Sequence, residues 1–448
     1  MEKQPSAFFA QARSPGFAND DDMSGQAAEA QPMISYVARV KGKTVIKTRK
    51  NRNTLKGTRS PSRCKHHAFG NGGRAPANAP VLRVAADCAG LNLGCVALEI
   101  LGVRPDLIFA SENDKATRAM TKHNFPIAPL CMCPDIMSRD DATLAAVDIY
   151  TAGPPCQSVS TAGKQAGLRD ARGCVFLRVL STIKIVMPAC FILENVPGLK
   201  TCHKETYAYI LHFLQHIEDP DGKWTYKVRT KVLNSLEVGG VPQNRPRVYI
   251  VGWKRALETQ EFSWPDHIPP KPLNLLLKGH VAAEPQSMLN LSSRPQANVA
   301  AGLQHLIKRH PAAAFAFNFN VAAGTPVVLI NTRSTPQFGC GGVSVDKSPC
   351  LTAGACSDGG SWVANLNRNL LIEEMEALQG IPEGRLSCPS GMERWRYGVM
   401  VDNRFTVGVI GRIALRLLKT IGKLPSAWRD AWADESQAWN LAAAGGGP

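Results

Sequence analysis

Four residues have the types and settings for nucleophilic chemistry. Cys156 stands in the run Asp148-Ile149-Tyr150-Thr151-Ala152-Gly153-Pro154-Pro155-Cys156-Gln157-Ser158. The apolar stretch 147–152 reads as a buried strand, and Gly153 with two prolines ends it abruptly, so the thiol sits on a stiff loop at the strand's C-terminal edge. Open α/β sheets carry their chemistry at that edge. Glu194 follows the apolar run Phe191-Ile192-Leu193 and precedes the turn Pro197-Gly198, so it projects at the same edge. Arg245 and Arg247 lie two apart just ahead of another apolar run, and in extended chain both point to one side. Each residue alone has a plain alternative as a buried thiol, a cap or a surface charge. Together, from three successive strand ends, they make a nucleophile, an acid and two cationic anchors, and the cations can lower a thiol's pKa.

A second constellation lies upstream. Asp87-Cys88-Ala89-Gly90-Leu91-Asn92-Leu93-Gly94 runs from a strand into a helix, and Gly90 lets a ligand approach the backbone at the helix N-terminus. Glu112 follows about 20 residues later, where nucleotide-binding folds bond a ribose hydroxyl. Asp135 supplies a third acid. Singly, these acids read as helix caps or solvated loop charges. In this order they describe a pocket for an adenosine-containing cofactor.

The elements that must position these residues alternate. Apolar runs predict strands at 81–86, 106–110, 147–152, 189–193 and 248–252, with amphipathic helices at 93–101, 114–124, 174–187 and 205–217. Such alternation implies an α/β fold with a doubly wound, Rossmann-like parallel sheet. After Trp253 the pattern gives way to Pro- and Asn-rich sequence with few clear helices, which predicts a smaller irregular domain over 254–345. Helical patterns at 371–379 and 405–421 are expected to return to the first domain. The predicted organisation is a disordered basic tail (1–80), a first domain in two parts (81–253 and 346–425), the intervening domain, and a tail (426–448).

The 448 residues are 44% hydrophobic and carry a net charge of +16. Residues 1–80 hold 14 Lys/Arg against 5 Asp/Glu, so both the tail and the remainder are basic, which favours a polyanionic partner such as nucleic acid. Residues 39–65 contain 11 basic residues and no acid; they read as a nuclear-import signal, a DNA-binding tail or a solvated linker. The 13 cysteines show no disulfide framework and fit a reducing compartment. Cys131-Met132-Cys133 and Cys64-Lys65-His66-His67 lack a second pair at zinc spacing, so no metal is expected. No apolar run suggests a membrane span, and Asp20-Asp21-Asp22 argues against a transit peptide.

With these residues in place, the sequence resembles the cytosine-C5 DNA methyltransferase family over about residues 81–422. The resemblance rests on Gly153-Pro154-Pro155-Cys156-Gln157-Ser158, Glu194-Asn195-Val196 and Gln243-Asn244-Arg245-Pro246-Arg247, in that order. Ser348-Pro349-Cys350-Leu351-Thr352-Ala353, the segment from Arg368 through Glu374 to Pro382, and Asn403 add weaker support. The chain departs from the family pattern in its first loop, which lacks the usual Phe and has fewer glycines, and at Asp402, where glycine is usual.

The resemblance implies that Cys156 adds to C6 of cytosine, that Glu194 contacts N3 and the exocyclic amine, and that Arg247 with Arg245 holds the base and the catalytic loop. It implies S-adenosylmethionine along Ala89, Gly90, Leu91, Asn92 and Leu93, with Glu112 on the ribose, Asp135 near the adenine, and Asn113, Ile136, Pro154 and Asn403 lining the site. Gln157, Ser158, Asn195 and Gln243 would contact a cytosine flipped out of double-stranded DNA, and residues 254–345 would recognise the target site. A nucleus-localised enzyme is the expectation if the host is eukaryotic. A cytosine-C5 methyltransferase acting on RNA and an inactive DNA-binding regulator are the alternatives. The absence of a Cys-Phe-Thr tripeptide counts against the first, and retention of Cys156, Glu194, Arg245 and Arg247 counts against the second.

Overall fold

The computed structural model describes residues 79–128, 131–155, 171–278, 292–309, 326–333, 342–352, 360–402 and 405–436. The chain divides into residues 1–62 and 63–448, and every described residue belongs to the second unit. Residues 1–78 of the expected tail lie outside the described residues.

Seven strands form one sheet: β1 (Val81–Asp87), β2 (Arg104–Ser111), β3 (Met132–Cys133), β4 (Ile149–Ala152), β5 (Cys190–Asn195), β6 (Tyr226–Asn234) and β7 (Pro246–Lys254). Their order is β3-β2-β1-β4-β5-β7-β6, with β1 to β5 mutually parallel. The chain winds outward from β1 to β3, then returns to place β4 on the other side of β1. The switch point of this doubly wound sheet therefore falls between β1 and β4. There Asp87 pairs with Ala152, which brings the loop after β1 beside the loop that leads to Cys156.

The central strands are apolar runs because both faces are covered. In β5, Cys190 and Ile192 pack with Leu93 and Val96 of α1 (Leu93–Ile100) and with Leu417 of a C-terminal helix. Phe191 and Leu193 face the opposite core, with Val179 and Ile183 of α3 (Ala171–Val186) and Ile210 and Leu214 of α5 (Lys204–Gln215). Between these come α2 (Lys115–Asn124) and the single turn α4 (Gly198–Thr201). Removing the wholly buried Ile192 side chain beyond Cβ would cost about 2–5 kcal/mol.

The expectation of an all-parallel sheet is corrected at its end, because β7 runs antiparallel to both β5 and β6. Only residues 235–245, including the short α6 (Ser235–Val238), link β6 to β7. That is too little chain for the crossover of a dozen or more residues that a parallel pair requires. The reversal matters for position: the start of β7 lies at the C-terminal edge of β4 and β5, where Val248 pairs with Asn195 and Tyr249 with Glu194. The strand β6 had no counterpart in the sequence reading. It is the sheet's edge, and Lys227, Arg229 and Lys231 interrupt its apolar pattern, as charges on edge strands commonly do.

A second, antiparallel sheet joins β8 (Val328–Asn331), β9 (Val343–Val345), β10 (Ser361–Val363) and β11 (Arg368–Asn369). Helix α7 (Ser293–Arg309) packs on it through Val299 and Leu306, which meet Ile330 and Trp362. This 17-residue helix is absent from the sequence reading, because Pro295 and Gly302 look like breakers. Proline is tolerated in a first turn. At position 302 a Cβ would lie 2.7 Å from Ile330 Cγ2, so glycine is what permits the close packing.

The chain then returns through α8 (Ile372–Leu378) and α9 (Arg394–Asp402) to α10 (Val407–Thr420), which packs on α1 and β5. Beyond it, residues 426–436, expected as part of a tail, are docked. Trp432 is buried, Trp428 donates its Nε1–H to the Leu101 carbonyl at 2.8 Å, and Asp430 accepts from Arg412 Nε at 2.7 Å. No described helix is long and apolar enough to cross a membrane.

Candidate active site

The loop after β1 is held open by backbone conformation. Cys88, Gly90 and Asn92 all have positive φ (50°, 57° and 52°), so the chain turns sharply three times before α1 begins. Gly90 is the residue type best suited to that region. Glu112, just past β2, fastens the loop: its Oε2 accepts the Gly90 amide at 2.9 Å and its Oε1 accepts the Asp114 amide at 3.1 Å. The Ala89 amide bonds the Ser111 carbonyl at 3.0 Å. Asn92 does not cap α1; its Nδ2 donates at 3.1 Å to Thr121 Oγ1, whose hydroxyl in turn donates to the Gly90 carbonyl at 3.1 Å. Among the described residues the buried Asn92 Oδ1 has no hydrogen-bond partner.

The other residues expected on this side lie at the same edge. Asn113 is exposed and its carbonyl accepts from Arg118 Nη1 at 2.7 Å. Asp135, exposed two residues beyond β3, accepts the Met137 amide at 2.9 Å, and Ile136 is buried behind it. The Leu91 and Leu93 side chains belong to the core, so any ligand contact from them is through backbone. Beneath the edge, Arg139 grips Asp87 with two hydrogen bonds (2.6 and 2.7 Å) and Asp141 with a third (2.7 Å). Tyr150 donates to Asp87 at 2.7 Å, and Thr182 donates to Asp141 at 2.6 Å. Sequence reasoning missed this buried network, since its acids and arginine lie in segments with no shared pattern.

The second cluster forms where β4, β5 and β7 meet. Glu194 Oε1 and Arg247 Nε make an ion pair at 2.9 Å. The other carboxylate oxygen of Glu194 would be 3.7 Å from a Cβ at Gly153, whose remaining neighbour there is the Phe405 ring. The acid thus borders the turn that leads to Cys156. Asn195 steadies that turn by donating to the Pro154 carbonyl at 3.3 Å, while its Oδ1 accepts the Val196 amide at 2.9 Å. Arg245 is buried and donates through Nη1 to the Leu351 carbonyl at 3.0 Å and to Cys350 Sγ at 3.2 Å. Arg247 Nη2 also donates to Cys350 Sγ, at 3.5 Å. Gln243 is wholly buried: its Nε2 donates to the Leu378 carbonyl at 2.8 Å and its Oε1 accepts the Leu351 amide at 3.3 Å. Cys156, Gln157, Ser158 and Asn403 lie outside the described residues.

The electrostatics follow from these contacts. Burial works to lower the Arg247 value, but Glu194 and Cys350 outweigh it and hold the guanidinium above its ordinary range. Burial and the Glu194 charge push the Tyr249 phenol up, so it stays neutral beneath the pair. Burial alone would raise the Cys350 thiol, yet Arg245 and Arg247 overcome it and leave the thiol below its usual value. Among the described residues no group of three or more His, Cys, Asp or Glu side chains could hold a metal.

Comparison with known proteins gives this geometry a relation. The family model for C-5 cytosine-specific DNA methylase matches residues 82–385. The type II methyltransferase M.NgoBI of Neisseria gonorrhoeae is 32% identical over 281 residues, covering 62% of this chain and 75% of that protein. The type II methyltransferase M.HaeII of Haemophilus aegyptius is 37% identical over 183 residues, covering 41% of this chain and about half, 52%, of that protein. Both are bacterial, so they lend the nuclear expectation no support. In fold alone, the chain is similar to the Entamoeba histolytica methyltransferase EhMeth, with a TM-score of 0.51 at 15% identity over 75% of this chain and 98% of that one.

Proposed function

The chain belongs to the C-5 cytosine-specific DNA methylase family, an S-adenosylmethionine-dependent DNA cytosine-5 methyltransferase by that membership, and from this premise we propose that it works through a covalent adduct between Cys156 and a flipped cytosine. The observation that carries the proposal is the Glu194–Arg247 ion pair, set against the turn before Cys156 at the sheet's switch-point edge. The ring carbon C5 is too electron-poor to attack a methyl sulfonium. A Cys156 thiolate bonding to C6, with a proton from Glu194 on N3, turns the ring into an enamine whose C5 is nucleophilic. After C5 takes the methyl group, its proton passes to a water molecule, the C6–S bond breaks and the thiolate leaves as the C5–C6 double bond returns, while the N3 proton goes back to the Glu194 carboxylate. Arg247 holds the Glu194 carboxylate in place, and Arg245 anchors the adjoining strand.

The residues of the first loop fit the cofactor. Glu112, whose two oxygens accept the Gly90 and Asp114 amides, is the acid assigned to a ribose hydroxyl. Gly90 supplies the positive φ that shapes this loop, and Asn92 Oδ1 is a buried acceptor without a partner among the described residues. Asp135, Ile136, Asn113, Pro154 and Asn403 complete the cofactor set, and Gln157, Ser158, Asn195 and Gln243 shape the base pocket. S-adenosylmethionine, when bound, supplies an electrophilic methyl group on a sulfonium. Because the target atom is concealed in the duplex, the base must leave the stack, and residues 254–345 supply the groove contacts. Bisulfite sequencing of DNA from a methylation-free cell that expresses the chain should show converted-resistant cytosines in a defined sequence context. Unmodified DNA alongside soluble, folded protein would overturn the reading.

A further inference from the structure

The two arginines share an acceptor that neither the family relation nor the site described above assigns to the reaction. Cys350 lies 105 residues from Arg245 in sequence, between β9 and β10, and its sulfur receives Arg245 Nη1 at 3.2 Å and Arg247 Nη2 at 3.5 Å. The same Arg245 nitrogen is tied to the Leu351 carbonyl, and Arg247 is tied to Glu194. The sulfur is thus the joint of a chain running from the Leu351 backbone through both guanidiniums to the acid. We propose that Cys350 is a positioning residue for methyl transfer: by accepting from both arginines it fixes the Arg247 guanidinium on Glu194, and so aims the carboxylate at the base.

The charges around the sulfur agree with this role. Arg245 and Arg247 face it from the start of β7, Glu194 from β5 lies one residue further through Arg247, and Tyr249 lies beneath, kept neutral by burial and by Glu194. The Cys350 S–H in turn donates to the Leu351 carbonyl at 3.3 Å, so the sulfur accepts from both guanidiniums while its own proton is tied to the backbone. The two guanidiniums, by charge and by hydrogen bond, are why the Cys350 thiol sits below its usual value in spite of burial. A serine would keep an acceptor at this spot, though on a shorter bond and a smaller atom, and alanine would keep none.

The inference rests on the reading of Glu194 as the acid on the base, so its test separates the two. Methyl transfer to duplex DNA would be measured for wild type, Cys350→Ser, Cys350→Ala and Glu194→Gln, with KM for S-adenosylmethionine determined in each. Cys350→Ala should lose roughly tenfold in kcat, the scale of losing a hydrogen bond from a charged donor, while KM for the cofactor stays within twofold. Cys350→Ser should fall between. A Cys350→Ala kcat within twofold of wild type, with Glu194→Gln inactive, would overturn the inference and leave the functional reading intact. Full activity in Glu194→Gln would overturn that reading instead. A measurement independent of catalysis is peptide-resolved alkylation of Cys350 by iodoacetamide across pH. Its midpoint should lie below the ordinary thiol value of about 8.5 and rise in Arg245→Gln. A wild-type midpoint at or above that value, unmoved by Arg245→Gln, would show that the arginines do not hold the sulfur and would overturn the inference even where Cys350→Ala is poorly folded.

Discussion

The cofactor-side loop and the base-side cluster sit at the same edge of one sheet but are assembled differently. The first is mostly backbone, shaped by three positive-φ residues and fastened by partners 22 to 31 residues away, as in the bonds from Gly90 to Glu112 and from Thr121 to Gly90. The second is mostly charged side chains gathered across longer stretches, such as Arg245 and Cys350, 105 residues apart. A backbone cradle suits a cofactor of constant shape, whose contacts need position more than charge. A base that must be protonated and attacked needs charges held at fixed places, and those charges need partners from several strands. Damage should therefore differ in kind. On the base side it should strike the chemical step, and on the cofactor side binding or stability.

The sharpest form of this contrast is Glu194→Gln. It keeps the shape beside Gly153 but removes the acid and the partner of Arg247. Loss of a general acid typically costs 10²–10⁴-fold, so kcat should fall by about that factor with KM for S-adenosylmethionine unchanged. Steady-state kinetics with duplex DNA would check it; an equal rise in KM would blur the division between the two regions.

Beneath the cofactor side, Arg139→Ala should act on stability. It leaves Asp87 and Asp141 as buried carboxylates stripped of their shared cation, which costs about 3–5 kcal/mol in comparable cases. Chemical denaturation of the full chain should show a clear fall in midpoint. A midpoint equal to wild type would mean that the carboxylates find other partners and that the network is not what anchors β1.

The smallest effect is expected from Gly90→Ala. A Cβ at φ 57° costs about 1–2 kcal/mol, and since the loop can relax when nothing binds it, the strain should surface as weaker cofactor affinity, about tenfold by titration calorimetry. The accompanying loss in kcat should be far smaller than for Glu194→Gln. Unchanged affinity would contradict the view that this backbone shape serves the ligand.

The same contrast governs what could be read in the sequence. Strands β1, β2, β4, β5 and β7 announce themselves as apolar runs cut short by Gly, Pro or a charged residue, and the loop-then-acid order of Gly90 and Glu112 follows along the chain. Local signals carry local structure. What stayed hidden depends on tertiary packing. Gly302 reads as a helix breaker until Ile330 is seen against it, and the direction of β7 depends on how little chain separates it from β6. The Arg139 network and the seat of Cys350 between two arginines come from long-range contacts that no spacing records. Residues 426–436 look like a polar end until Trp428 and Trp432 find the core.

The central claim is that Cys156 is the nucleophile served by both regions, and one measurement addresses it directly. A duplex carrying 5-fluorocytosine at the target position allows methyl transfer but blocks the final elimination, which must remove the C5 substituent as a proton. The enzyme should then remain bonded to DNA as a denaturation-resistant adduct that forms only with S-adenosylmethionine, maps to Cys156, and is absent in Cys156→Ser, whose hydroxyl is a far weaker nucleophile. An adduct in Cys156→Ser, or none in a folded, DNA-binding wild type, would contradict the account.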